Sequence, residues 1–172
     1  MFLLVPALAL ATPEFHIEAS SQIMPETVAF DLGARVEGEH DGYILADARI
    51  DPTGCWIGRA GIGIDVFGGR EGVDLKLGLF LGGTGDIGAR AMYGRPTAGG
   101  EVRVGVGIGR VYGWYQHVDG FAGPLEDRLT EDQLRVGFRI TDMVRVHGQY
   151  LVYNPGDRKV RGGAGIGAEV VW

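Results

Sequence analysis

The sequence predicts an all-β protein, namely a closed antiparallel up-and-down β-barrel that crosses a membrane with ten strands. Three observations lead to this prediction. Apolar and polar residues alternate along most of the 172 residues, as they do in strands with two different faces. The polar face is rich in charge and in glycine, which stands at 31 positions, far above an average frequency of about 7%. The apolar face is almost free of charge, as lipid requires.

Turn residues divide the alternating pattern into segments of strand length. Between residues 73 and 82, for example, every second residue is valine or leucine, and Asp74 and Lys76 stand between them. The segment 15–21 has the weakest pattern, but bacterial single-chain barrels have even numbers of strands, which favours counting it. Eight strands remain the alternative. The predicted strands are 15–21, 28–38, 43–51, 56–67, 73–82, 87–95, 101–117, 133–140, 144–153 and 160–172.

The charges of the polar face suit a narrow barrel interior better than a surface in water. Opposite charges can pair across such a lumen, and the glycines leave room for longer side chains. An arginine or lysine on the apolar face would instead cost about 2–4 kcal/mol at the centre of a membrane. The residues predicted to line the lumen are Asp31, Arg35, Asp47, Arg49, Arg59, Asp65, Asp74, Lys76, Arg90, Arg103, Arg135, Arg139, Arg145, Arg161 and Glu169.

Aromatic residues near the predicted strand ends complete the pattern of a membrane barrel. Girdles of such residues are expected at the two interfaces between lipid and water. The predicted girdle residues are Trp56, Tyr93, Trp114, Tyr150 and Trp172.

Residues 1–11 (MFLLVPALALA) are uncharged and almost wholly apolar. This run is too short to cross a membrane as a helix, but its length and its Ala-Leu-Ala end suit a signal peptide. No positive charge precedes the run, so either the start codon is misassigned or the leader is truncated at its start. A buried N-terminal segment is the alternative. Residues 12–172 then form a single barrel domain.

With this leader and the final strand Gly163–Trp172, the chain resembles the small outer-membrane β-barrel superfamily of OmpA-, OmpX- and OmpW-like barrels. The resemblance covers most of the mature chain as an architectural pattern and identifies no subfamily. It implies the outer membrane of a Gram-negative bacterium, with membrane lipid and lipopolysaccharide around the barrel. It also implies periplasmic chaperones and the barrel-assembly machinery as partners during biogenesis. That machinery would read Trp172 as the assembly signal, where phenylalanine is the usual residue.

The resemblance also predicts an orientation, because both termini of such barrels lie in the periplasm. The longest connection then faces outward, as these barrels prefer. The outward connections are expected at 51–55, 82–86, 118–130 and 154–159, and the inward turns at 38–42, 68–72, 96–100 and 141–142.

The sequence offers little catalytic chemistry. The only serines are Ser20 and Ser21, and an extended strand would separate His16 from Ser20 by about 13 Å, beyond hydrogen-bond reach. The remaining histidines, His40, His117 and His147, have no metal-ligand spacing, so neither a metal nor a cofactor is predicted. The net charge of −6 and the scattered basic residues argue against a nucleic-acid partner.

The predicted function is therefore a non-enzymatic outer-membrane barrel with a structural or surface role. The luminal charges are interpreted as a ladder of ion pairs that fills the barrel and specifies its structure. The alternative is a narrow channel for small polar solutes or ions, and a lipid-modifying enzyme is a more distant one. The fold by itself does not decide between these functions.

Overall fold

Ten antiparallel strands, each hydrogen-bonded to its neighbours in sequence, close into one barrel by pairing the first strand with the last. The computed structural model describes residues 13–25, 27–38, 41–51, 55–68, 72–85, 94–123, 127–155 and 160–172. The predicted fold class and the predicted strand number are confirmed. The strands are β1 (Glu14–Ile23), β2 (Val28–Glu37), β3 (Gly42–Asp51), β4 (Cys55–Phe67), β5 (Gly72–Gly85), β6 (Arg95–Ile108), β7 (Val111–Ala122), β8 (Asp127–Arg139), β9 (Val144–Pro155) and β10 (Arg161–Val171).

The seam between β1 and β10 closes the ring. Ile17 pairs with Val170 of β10 on one side and with Ala34 of β2 on the other. At the end of the seam, the backbone of Phe15 exchanges two hydrogen bonds of 2.8 and 3.0 Å with Trp172, and the two rings stack with their centroids 5.9 Å apart. We call this end of the barrel the termini end and the other the opposite end.

The sequence-based division of the middle of the chain was wrong in one respect. The segment 101–117 is not one strand, because the two-residue turn Gly109–Arg110 separates β6 from β7. Ile108 pairs with Val111 across this turn, and Gly109 has a φ of +57°, the left-handed conformation that tight hairpins require.

The connections shift accordingly. Residues 96–100, expected as an inward turn, belong to β6, and the turn at that end is Gly109–Arg110. Most of the segment 118–130 belongs to β7 and β8, and the longest interval between the bounds of two consecutive strands is instead 86–94, after the end of β5. The strand expected over 87–95 falls outside the described residues, apart from its last two positions.

The outward face of the barrel is an apolar belt. Leu79, Leu81 and Ile166 expose 68%, 70% and 72% of their surface, and smaller apolar side chains follow the same alternation on every strand. A monomer in water rarely exposes such a continuous apolar surface. No helix in the described part of the chain is long and apolar enough to cross a membrane.

The belt ends on the outer face of β7 and β8 towards the opposite end. There the Tyr115 hydroxyl donates to Asp132 at 2.5 Å, and His117 Nδ1 lies 2.8 Å from the same carboxylate. The next outward positions hold the ion pair between Arg128 and Asp119, at 2.6 Å. This hairpin therefore extends beyond the apolar belt.

Glycines on the inward face accommodate aromatic rings from the neighbouring strands. Tyr43 lies directly across from Gly63, and a Cβ atom at Gly63 would stand 2.2 Å from the Tyr43 ring and 2.5 Å from the Leu77 carbonyl oxygen. Tyr112 has the same relation to Gly137. An aromatic ring that covers a cross-strand glycine is a known means of fixing strand register.

We expect Gly63→Ala to destabilise the barrel by about 1–3 kcal/mol, the range for overpacked interiors, because the Leu77 carbonyl cannot move away as a side-chain end could. Chemical unfolding in detergent micelles measures the free energy. Gly148→Ala is the matched control, since the nearest atom to its Cβ would be 3.9 Å away. Equal stability of the two variants would contradict the packing explanation.

We expect Leu79→Arg to reduce insertion into membranes by about 2–4 kcal/mol, because it places a charge in the middle of the apolar belt. The heat-dependent gel shift of folded barrels measures the inserted fraction. Leu79→Met should insert normally, since it preserves volume and polarity. Normal insertion of the arginine variant would mean that the belt does not face lipid.

Candidate functional site

The inward face of the barrel carries a network of alternating charges at mid-height. Glu131 of β8 is 2% exposed and accepts hydrogen bonds from Arg49 of β3, at 2.8 Å, and from Arg59 of β4, at 3.4 Å. Arg49 also binds Asp31, and Arg59 binds Asp47 at 2.9 Å. We call these five residues the Glu131 network. Because β8 lies across the interior from β3 and β4, the network joins opposite walls of the barrel.

A second group of polar residues lies next to this network, towards the termini end. Arg135 of β8 binds Glu18 of β1 through both terminal nitrogens and donates to Gln149 at 3.0 Å. Trp114 lies between two guanidinium groups, with Arg135 at 4.3 Å and Arg103 at 4.9 Å from its ring centroid. These cation–π contacts place the indole firmly inside the barrel.

Further ion pairs surround the termini end of the interior. Lys76 binds Asp65 at 2.8 Å and Glu37 at 3.1 Å, so it joins β5 to β4 and β2. Glu169 of β10 lies 2.7 Å from His16 Nδ1 and 3.4 Å from Arg145. The charges of this end therefore also connect the two strands of the seam.

Towards the opposite end, two clusters of buried apolar side chains stand among the polar ones. Eight buried side chains point inward there, seven of them from six strands and the eighth from Met24, which follows β1. None of the eight is more than 6% exposed. Arg49 lies over the Tyr153 ring at 4.8 Å, and Arg59 over the Phe80 ring at 5.5 Å, so the Glu131 network rests directly on this layer. We call these residues the apolar layer: Met24, Ala29, Ile57, Phe80, Val118, Leu129, Leu151 and Tyr153.

Two cavities lie in the interior that the described residues form. One, of about 110 Å³, lies against the Glu131 network, and the other, of about 210 Å³, lies in the termini half of the barrel. Six residues line both, namely His16, Arg35, Arg103, Trp114, Arg135 and Glu169. Each cavity is large enough for water molecules but small for most solutes.

The structure places the predicted lumen residues in the interior, apart from Arg90, which lies outside the described residues. They do not form one group. Arg161 lies at the opposite end, 3.9 Å from Asp51, whereas Arg139 and Asp74 lie in the termini half. Four others, namely Asp31, Asp47, Arg49 and Arg59, belong to the Glu131 network.

Glu131, on which the network depends, was not predicted, because the preceding residues were assigned to a connection. Residues 130–133 are all polar, so no alternation of apolar and polar residues marks this part of β8, and the alternate burial of Leu129, Glu131 and Gln133 is visible only in the structure. Glu18 and His16 were not predicted as interior residues either, since their strand has the weakest pattern. Trp114 was predicted to belong to an interfacial girdle, and this was wrong. Odd-numbered residues face inward on β6, but after the unrecognised turn at Gly109–Arg110 the even-numbered residues face inward on β7. Trp114 therefore lies in the interior.

The serine and histidine considered for hydrolysis have other partners. The Ser20 hydroxyl donates to Asp31 at 3.2 Å and accepts from Gln149 at 2.8 Å. His16 binds Glu169 on β10 through Nδ1. Ser20 therefore links a carboxylate to an amide, and neither of its two hydrogen-bond partners is a histidine.

Solved structures with this architecture are barrels with very different sequences. The KdgM porin matches with a TM-score of 0.55 at 6% identity, over 90% of this chain and 98% of the porin. The NanC porin matches with a TM-score of 0.52 at 10% identity, over the same shares of the two chains. The outer membrane protein Omp33 of Acinetobacter baumannii has a TM-score of 0.47 at 8% identity, over 92% and 98%. No protein-family model matches the chain, and no curated protein sequence does. The chain thus has the fold of small outer-membrane β-barrels.

We expect Glu131→Gln to destabilise the barrel by about 3–5 kcal/mol, because it leaves two buried arginines without their shared carboxylate. Asp132→Asn, one residue further along β8, is the matched control. Asp132 is half-exposed, so its loss should cost no more than about 1 kcal/mol. Unfolding free energies in micelles give the comparison, and equal losses would contradict the role assigned to the network.

Proposed function

We propose that this protein, which has the fold of a small outer-membrane β-barrel, is a closed, non-enzymatic barrel with a structural or surface role in a Gram-negative outer membrane. One observation carries the proposal: apolar side chains and paired charges fill the interior. The apolar layer spans strands from around the ring, and its members are at most 6% exposed. An ion would have to cross this layer without its hydration shell, at a cost of many kcal/mol.

The charges support the same conclusion. The two cations at the centre of the Glu131 network each contact two carboxylates, so they are engaged with the wall rather than directed at a passing solute. Ion pairs that tie opposite walls together favour one fixed interior. The apolar belt supports the proposed membrane location, since lipid-facing residues must be uncharged.

In planar lipid bilayers, we expect the wild-type protein to show no discrete channel openings, because the apolar layer closes the lumen. The double variant Leu129→Ala/Leu151→Ala removes one large side chain from each cluster of that layer and should admit small, brief openings. Leu79→Ala/Leu134→Ala is the control on the outer face and should stay silent. The heat-dependent gel shift verifies that each variant has folded.

A narrow channel is the second candidate, and the two cavities favour it. They share six lining residues, which gives a polar path through the termini half of the barrel. Stable openings of the wild-type protein would support this candidate and contradict the closed barrel. In either case the protein should fractionate with the outer membrane, with the termini end in the periplasm, after export by its leader.

A further inference from the structure

We propose that Glu14, His16 and Glu37 form a binding site for one divalent transition metal ion of the zinc type, at the termini end of the lumen. Each residue offers one ligand atom, and the three atoms lie within 4.8 Å of one another. One imidazole and two carboxylates form a donor set that zinc uses in proteins. This inference goes beyond the proposed function, which requires no metal.

The orientation of His16 is the observation that points to a ligand. The residue is 5% exposed, and its Nε2 atom is buried without a hydrogen-bond partner. That atom faces the Glu37 carboxylate, whose Oε2 lies 3.9 Å away, too far for a hydrogen bond. A buried imidazole nitrogen with no partner is costly unless something else binds it.

The other ring nitrogen of His16 is held as in known metal centres. Nδ1 lies 2.7 Å from Oε1 of the buried Glu169 carboxylate. A hydrogen bond from Nδ1–H to a carboxylate fixes the ring and leaves the Nε2 lone pair free, which is the usual arrangement around histidines that bind zinc. Glu169 is therefore a positioning residue in the proposed site.

The strand register brings the two carboxylates together. Glu14 of β1 lies directly across from Glu37 of β2, and like charges in that position repel one another. Two residues along β1, His16 points into the same lumen, so adjacent strands supply all three ligands. A bound dication would convert this repulsion into attraction.

The cations nearby leave the required oxygen atom available. Arg35 and Lys76 both lie 3.1 Å from Oε1 of Glu37, whereas Oε2 is the oxygen that faces His16. Arg145 lies 4.0 Å from Glu14, at the limit of an ion pair. These three positive charges weaken metal binding but also prevent an excess of negative charge, so the expected affinity is moderate.

Metal binding requires the ligand atoms, which lie up to 4.8 Å apart, to approach one another by as much as about 1.5 Å. Zinc–ligand distances of about 2.0–2.2 Å in a tetrahedron place ligand atoms about 3.3 Å apart. The distance of 3.9 Å between His16 and Glu37 must therefore shorten by about half an ångström. The two glutamate side chains are partly exposed and can rotate to do so, and the cavity of about 210 Å³ beside them allows entry and room for a water ligand.

Calorimetry with zinc chloride tests the proposal on the full chain in detergent micelles, without a polyhistidine tag. We expect one zinc ion per chain, and the variants His16→Gln and Glu37→Gln should each bind at least about tenfold more weakly. Glu169→Gln should lose about 10–100-fold, as for other residues that orient a histidine ligand. His117→Gln is the control, because that histidine lies on the outer face near the opposite end and binds Asp132.

Two further readouts keep the test independent of folding. Cobalt(II) should give visible absorption bands with the wild type that disappear in Glu14→Gln, a change at the very start of β1. Zinc should also raise the unfolding temperature of the wild type and not that of His16→Gln, because a ligand stabilises the state that binds it. The proposal is overturned if the wild type binds no zinc below about 1 mM, or if His16→Gln binds as tightly as the wild type.

Discussion

Charges that point into a narrow barrel cannot be surrounded by water, so each must find its partner on the wall, and this constraint organises the interior. Glu131 illustrates it, since a carboxylate that is 2% exposed would be prohibitively unstable without Arg49 and Arg59. The arginines in turn need Asp31 and Asp47. Because the partners come from β2, β3, β4 and β8, satisfying one charge fixes the distance between walls that share no backbone hydrogen bonds.

The apolar layer follows from the same constraint. An interior made only of charges would need a partner for each of them, whereas leucine, valine and phenylalanine fill space without one. The two kinds of packing meet where Arg49 lies over Tyr153 and Arg59 over Phe80. Aromatic faces there attract the guanidinium groups on one side and pack against aliphatic side chains on the other. The charged network and the apolar layer therefore meet at these two rings.

The fold could be predicted from the sequence largely because a strand has only two faces. Period-two alternation identified the lipid-facing side of β5 and the charged side of β2 without knowledge of any contact. For the same reason, one unrecognised turn led to a wrong assignment. After Gly109–Arg110 the inward-facing positions become outward-facing ones, and this change determines where Trp114 lies. Contacts across the lumen could not be predicted in this way. Glu131 lies 82 residues from Arg49 in the chain, and only strand tilt and register bring the two together.

The seam between β1 and β10 also has a consequence for the order of folding. His16 and Glu169 touch across it although 153 positions separate them, and the ring cannot close before the last strand has been synthesised. Contacts of such high sequence separation make folding slow, because a long loop must be ordered before they form. Until then, β1 and β9 would each present an unpaired edge to other chains, which invites aggregation. The unfinished barrel is thus most prone to aggregation between translation and closure. The rate at which β10 closes the ring determines how long this interval lasts.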